Sequence, residues 1–412
     1  MKTENRLLAL DVFRGITIAG MILVNDPGSW SAVYAPLCHA SWNGLTPTDL
    51  VFPFFMFIMG ISMYFSLRRY NSLFSRGAVT KIFRRAVLIF LIGLGINWFA
   101  LWFGTFMSMG NGEFTFWERF TQNIFPVADI RILGVLQRLA LAYLGGAILC
   151  LGIRPRYQLF TAVMILVGDF VILVVGEGFI RSEHNILSVV DRAVLGVRHL
   201  YGGGASSGAG MAFDPEGLLS TLPCFAHVLF GVCMGRMLGE VKENEIRIRQ
   251  LFIFGTILLF AGYLWSYACP VNKRIWSPTY VLISCGAASL LFALLIYFLI
   301  GGGETTYILE TGFSAIGNMV QNFIGLSTWM DPLRETSFPQ NWTIYYWAYW
   351  MVWAVAAPFF IGNISRGRTI KQTILGGYVF GVGSTIISFV VLGNYGLGLQ
   401  VSGKADFISQ YA

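Results

Sequence analysis

Apolar runs of about 20 residues recur along this chain with so little charge between them that a water-soluble fold is excluded. Of its 412 residues, 56% are hydrophobic and 12% are charged, against roughly 25% charged in soluble domains. Each run is long enough to cross ~30 Å of hydrocarbon as a helix rising 1.5 Å per residue. The runs are continuous rather than alternating, which argues for helices and against a β-barrel. The expected fold is an all-α membrane protein, a polytopic bundle of about 11 transmembrane helices. The spans are expected near 7–25, 49–67, 86–104, 132–151, 157–176, 218–238, 251–269, 279–300, 312–330, 342–362 and 373–393.

The net charge of +7 marks orientation, not nucleic-acid binding. Its basic residues gather in short connections: Arg68 to Arg85, Arg154 and Arg156, Arg236 to Arg249, and Arg366 to Lys371. With a cytoplasmic N-terminus, all four groups fall on the cytoplasmic side, as the positive-inside rule requires. His39, the 105–129 loop, the 177–217 loop and the Lys273 loop then lie outside. The 177–217 loop carries three basic residues of its own, and its GGGASSGAG stretch reads as a flexible cover over an outward-facing site. The first span holds Asp11 and Arg14 and lacks a small-residue cleavage site before Asn25, so no cleavable leader is expected. The six cysteines follow no metal-ligand spacing and read as buried thiols; no metal is expected.

Ionisable side chains inside apolar spans are costly and point to function. Asp11 and Arg14 are three apart and can pair on one helix face. Asp49 follows Thr46-Pro47-Thr48, an arrangement that caps a helix start. His39 sits between two apolar spans amid Trp, Asn, Gly and Pro, with no His or Cys pattern for a metal around it. An imidazole there can take a proton near neutral pH or accept an acyl group; an interfacial, hydrogen-bonded His is the competing reading. Arg131 and Arg138 are seven apart, two turns along one helix face, and their two guanidinium groups suit phosphate recognition, with snorkelling to the interface as the competing reading. Gln137 lies beside Arg138 at the start of the same span. Asp191, Asp214, Glu216 and Lys273 are outer-side charges able to hold an amino sugar or simply to be solvated. No P-loop, GxSxG or HExxH is present.

Six segments taken in order, RLLALDVFRG, HASWNGLTPTDLVFPFFMFIMG, RILGVLQRLALAY, DRAVLGVRHLY, AFDPEGLL and VNKRIWSPTYV, resemble the heparan-α-glucosaminide N-acetyltransferase family and its bacterial counterparts over residues 6–300. The resemblance implies transfer of an acetyl group from cytoplasmic acetyl-CoA to a glucosamine amine across a bacterial cytoplasmic (inner) membrane. It makes His39 the catalytic residue, matches the family's Asn to Asn25, and places Asp49 near the acetyl group. Gln137 and Arg138 then lie along the path of coenzyme A. Small-residue helix faces permit a homodimer.

From Gly301 the chain departs from that family. TTYILETGFSAIGNMVQNFIGLSTWMDPL and FPQNWTIYYWAYWMVWAVAAPFF, followed by ISRGRTIKQ, resemble the middle of a betaine/carnitine/choline transporter. In that family aromatic rings hold a quaternary ammonium by cation–π attraction, and the corresponding positions here are Tyr349, Trp350 and Trp353. Three readings stay open: an acetyltransferase over 1–300, a transporter-type module over 301–412, and an inactive join of two unrelated fragments.

Overall fold

A computed structural model describes residues 8–25, 33, 37–68, 70, 74–109, 115–121, 129–201, 212–297 and 305–333, then 335, 337–344, 348, 351, 374, 386, 389–406 and 409. Among the described residues the fold is all-α, with no strand. Among the described residues, seven helices are long and apolar enough to cross a membrane: α2 (Pro47–Arg68), α3 (Arg76–Ser108), α5 (Val135–Gly152), α6 (Pro155–Val175), the segment Leu219–Glu240 that contains α8 (Leu222–Glu240), α9 (Asn244–Trp265) and α10 (Pro278–Ile296). α1 (Leu8–Asn25), α4 (Phe116–Thr121) and α7 (Ile186–Leu195) complete the first part of the chain.

The chain divides into two compact units, Met1–Pro27 with Pro36–Leu295, and Gly28–Ala35 with Ile296–Ala412. In the first, α2 and α8 form the tightest pair. A Cβ on Gly60 would come within 2.3 Å of the Val228 carbonyl oxygen, and one on Gly231 within 2.4 Å of the Phe57 oxygen. Glycine at both positions lets the two backbones touch, the usual basis of helix association where lipid removes the hydrophobic drive. The expected Asp11–Arg14 pair forms, at 2.9 Å.

The second unit holds α11 (Thr305–Gln321), α12 (Phe323–Ser327) and α13 (Asn394–Val401). The single span expected at 312–330 is broken at Asn322, whose N–H and side-chain amide both donate to the Asn318 carbonyl, at 2.9 and 3.0 Å. Most of the spans expected at 342–362 and 373–393 lies outside the described residues.

Several helices depart from the sequence expectation: α9 starts at Asn244, seven residues before the expected span at 251, and α4 lies inside the expected 105–129 loop. α3 starts ten residues before the expected span at 86, because Ser75 caps it by accepting from Ala78 N–H at 3.2 Å. The basic residues 76–85 are therefore helical and not a loop. α7 lies inside the stretch read as a covering loop. Asn185 caps its start, accepting from Leu187 N–H at 3.0 Å, and Gly196 ends it with φ +83°, a backbone setting that favours glycine. The GGGASSGAG stretch itself falls wholly outside the described residues.

Candidate active site

Two loops at one end of the first unit are laced together. Gly44 N–H donates to the Val271 carbonyl at 2.8 Å, and the Asn272 side-chain amide donates to Asn43 Oδ1 at 3.1 Å. Asn272 also shapes its own turn, accepting from Arg274 N–H at 2.8 Å. Trp42 reaches from the first loop to donate to the Phe179 carbonyl at 2.9 Å and packs edge-on against Phe213, ring centres 5.4 Å apart. This lacing fixes where His39 and Lys273 sit.

Asp49 stands at the start of α2 and is fully buried. Its Oδ2 accepts from Ala40 N–H, Thr46 N–H and Thr46 Oγ1 at 3.2, 3.1 and 2.9 Å, so the expected capping role is met. Its Oδ1 lies 2.7 Å from His39 Nδ1 and 3.4 Å from Lys273 Nζ. Lys273 Nζ is also 3.0 Å from His39 Nδ1. A carboxylate accepts only and an ammonium donates only, so the arrangement is satisfied when a neutral His39 carries its proton on Nδ1 and both that N–H and the Lys273 ammonium turn to Asp49. Nε2 then holds a lone pair, on a side chain that is 50% exposed.

Pro53 lies inside α2. Proline has no N–H, so the carbonyl four residues earlier, that of Asp49, loses its helical partner. The Tyr280 hydroxyl of α10 donates to that carbonyl at 2.5 Å, tying α10 to the base of the His39–Asp49 dyad. Tyr280 packs edge-on to Trp276 at 5.0 Å, and the Arg138 guanidinium lies over the Trp276 ring at 5.1 Å.

The structure corrects the reading of Arg131 and Arg138 as one helix face. Gly134 is extended, α5 begins only at Val135, and Arg131 therefore precedes the helix. Its fork holds Asp214 at 3.0 and 2.5 Å and Glu216 at 2.6 Å, above the Tyr201 ring at 4.7 Å. Burial works against the Arg131 cation, but Asp214 and Glu216 more than offset it and raise its pKa above the usual guanidinium range. Asp214 also accepts from Tyr201 and Glu216 N–H, each at 2.9 Å; it is fully buried and occupied by these donors. Arg138 is buried, donating to Ser220 Oγ, with its Nε unpartnered among the described residues. Gln137 is buried beside Gly93 and Gly134, its Nε2 likewise unpartnered.

Asp191 is buried under Gly217, accepting from Leu218 N–H at 2.8 Å. Burial, with the Asp214 carboxylate adding to it, pushes its pKa up to about 7, against the Leu218 N–H and the Arg138 cation. Lys273 is pulled below the ordinary lysine range by burial, which Asp49 and Glu216 oppose through space. Asn25 ends α1, exposed, and its amide donates to the Met21 carbonyl at 2.9 Å; nothing described links it to the dyad. The site thus gathers His39, Asp49 and Lys273 directly, with Glu216 and Arg138 close enough to act on Lys273. Tyr280 and Trp276 were not among the expected residues, and Thr46 was expected only in the cap at the start of α2. Pro53, in the sequence, is the signal that could have pointed to Tyr280.

Residues 6–268 match the family described as heparan-alpha-glucosaminide N-acetyltransferase, catalytic. The chain belongs to that family. It is 29% identical over 347 residues to the heparan-alpha-glucosaminide N-acetyltransferase of Mus musculus, covering 71% of this chain and 49% of the relative. The Homo sapiens protein of the same name is 29% identical over 330 residues, 67% of this chain and 46% of the relative. The chain therefore spans about half the length of these curated relatives. Residues 248–412 match the betaine/carnitine/choline family transporter description, reaching further upstream than the departure at Gly301. A probable glycine betaine transporter of Desulfitobacterium hafniense is 33% identical over 157 residues, 38% of this chain and 28% of the relative. Membership and the apolar helices together make this an integral membrane protein with acyltransferase ancestry.

Proposed function

We propose that the chain transfers an acetyl group from acetyl-CoA to the amine of a glucosamine-type sugar at the His39 end of the bundle. The observation that carries this reading is the Asp49–His39 contact at 2.7 Å, which leaves Nε2 as an exposed proton acceptor. The sugar amine attacks the thioester carbonyl while His39 Nε2 takes its proton, and the buried Asp49 carboxylate stabilises the resulting imidazolium. The C–S bond then breaks, and the coenzyme A thiolate leaves and is protonated. The Lys273 ammonium, beside the ring, faces the negative charge that develops on the carbonyl oxygen. Glu216, its side chain 16% exposed, is the carboxylate available to a sugar hydroxyl or ammonium. Asp214 and Asp191 support the site from below by holding the 131 and 217 segments.

Acetyl-CoA is a substrate here. The unpartnered buried donors Gln137 Nε2 and Arg138 Nε fit a path for its acceptor-rich arm, since buried donors without acceptors are costly. In this reading the basic helix ends face the cytoplasm of a bacterial inner membrane and His39 faces outward. The test is N-acetylation of glucosamine by the purified full chain with acetyl-CoA, followed by mass spectrometry of the sugar. His39→Ala should abolish product; product formed at the wild-type rate sinks the mechanism.

The match of residues 248–412 to the carrier family supports a second reading, a module that binds a quaternary ammonium. Tyr349, Trp350 and Trp353 lie outside the described residues. Betaine or carnitine binding weakened by Trp350→Ala would favour it. Loss of both activities, with aggregation in detergent, would favour an inactive join.

A further inference from the structure

The end of the bundle away from His39 carries a cavity that acetyl transfer, as proposed, does not use. Its volume is about 860 Å³, and Tyr70, Arg76, Lys81, Arg84 and Arg85 line it, with Leu88 and Ile89 further along α3. No carboxylate lines it among the described residues, and none of the four cations is ion-paired among them. Lys81 stands three and four residues from Arg84 and Arg85, a spacing at which like charges on a helix repel. An anion between them removes that repulsion.

Two of the cations are braced. Lys81 donates to Ser66 Oγ at 3.0 Å and lies over the Tyr70 ring at 5.6 Å; the Arg85 guanidinium lies over the Tyr143 ring at 5.3 Å. The same helix face continues into apolar, outward-facing side chains: Leu88 is 51% exposed and Ile92 50%, with Leu91 beside them at 58%. Arg84 and Arg85 lie three and four residues after Lys81, Leu88 lies four and three after them, and Ile92 four after Leu88, which makes one stripe of α3. A charged upper stretch and a greasy lower one on a single exposed stripe match an amphiphile better than a soluble nucleotide. The stripe is also distant from the dyad's end: Asn97, which donates to the Arg131 carbonyl at 2.9 Å, is about 18 Å along the helix from Arg85.

We propose that this cavity binds the headgroup of an anionic phospholipid. Its phosphate sits among Arg76, Lys81, Arg84 and Arg85, and an acyl chain runs along Leu88, Leu91 and Ile92. The arrangement is that of a basic cluster at a membrane surface with hydrocarbon beneath it. The inference does not depend on the acetyltransferase reading.

The test uses the full chain, purified in mild detergent, stripped of lipid and offered phosphatidylglycerol or phosphatidylcholine, with retained lipid counted by native mass spectrometry. Wild type should retain phosphatidylglycerol at least tenfold better, and added NaCl should weaken that retention. Each cation changed to Gln should cost about fivefold at low salt, and the triple variant R76Q/R84Q/R85Q about a hundredfold. The triple Lys variant keeps the charge and should stay within about threefold of wild type. Should the triple Gln variant fail to fold, R84Q alone and the salt series decide. Equal retention of the two lipids, salt-insensitive retention, or Gln variants that bind like wild type would overturn the proposal. So would displacement of phosphatidylglycerol by micromolar coenzyme A, which would assign the phosphate contacts to that substrate.

Discussion

Asp49→Asn separates orientation of His39 from its mere presence. The change keeps the shape of the side chain but leaves one acceptor oxygen. Three donors converge on the Oδ2 position, Ala40 N–H, Thr46 N–H and Thr46 Oγ1, so the amide oxygen is held there. The NH2 group then faces His39 Nδ1, and the ring must put its lone pair on Nδ1 and its proton on Nε2. The base is thereby turned away from its substrate. The lost attraction can be sized as well. At 2.7 Å and an effective dielectric near 20, carboxylate and imidazolium attract by about 6 kcal/mol. His39 is half exposed, and solvent screening takes about half of that, leaving about 3 kcal/mol, or roughly two decades of rate. The tautomer change adds to it, so kcat/KM should fall about a thousandfold. The assay is release of coenzyme A thiol from acetyl-CoA with glucosamine as acceptor, with thermal unfolding as a control for folding. An Asn variant that folds and works within threefold of wild type would refute the dyad.

Three further outcomes follow from the same structure. Tyr280→Phe leaves the buried Asp49 carbonyl without a donor and should cost about 1–3 kcal/mol in detergent unfolding. Adding Pro53→Ala, which restores an N–H four residues on, should recover part of that loss, and strict additivity in this cycle would count against the contact. Asp191 has a folded pKa near 7 against 3.8 unfolded, so its contribution is full below about pH 4 and is lost as pH rises through 7. Asp191→Asn should therefore flatten the fall in melting temperature between pH 5 and 8; an unchanged slope would show that another group titrates. Gly231→Ala drives a Cβ against the Phe57 carbonyl and should reduce folded yield through a loss of at least about 1–3 kcal/mol, read by size-exclusion profile in detergent.

Much of this protein is legible in the order of its residues. Continuous apolar runs dictate helices, because unpaired backbone groups are too costly in hydrocarbon, and the described spans fall close to those runs. His39 was readable as a candidate because a polar side chain without a structural need stands out against an apolar background, whereas Asp49 read as a helix cap and only the family resemblance placed it near the acetyl group. The pairing of Asp11 with Arg14 follows from helix geometry alone. Boundaries were less legible where a local cap overrode hydropathy, as Ser75 does for α3 and Asn185 for α7.

What only the tertiary structure decided is which distant groups meet. His39 and Lys273 are brought to one carboxylate by two loops far apart in sequence, pinned through Gly44, Val271, Asn43 and Asn272. Arg131 parts from Arg138 because helix α5 starts after it, and its fork finds Asp214 and Glu216 instead. Pro53 announces in the sequence that a carbonyl will lack its donor, but only packing of α10 against α2 names Tyr280 as the supplier. The sequence determines local periodicity and local cost, which act over a few residues. The site depends on long-range contacts, which are fixed by how whole helices pack.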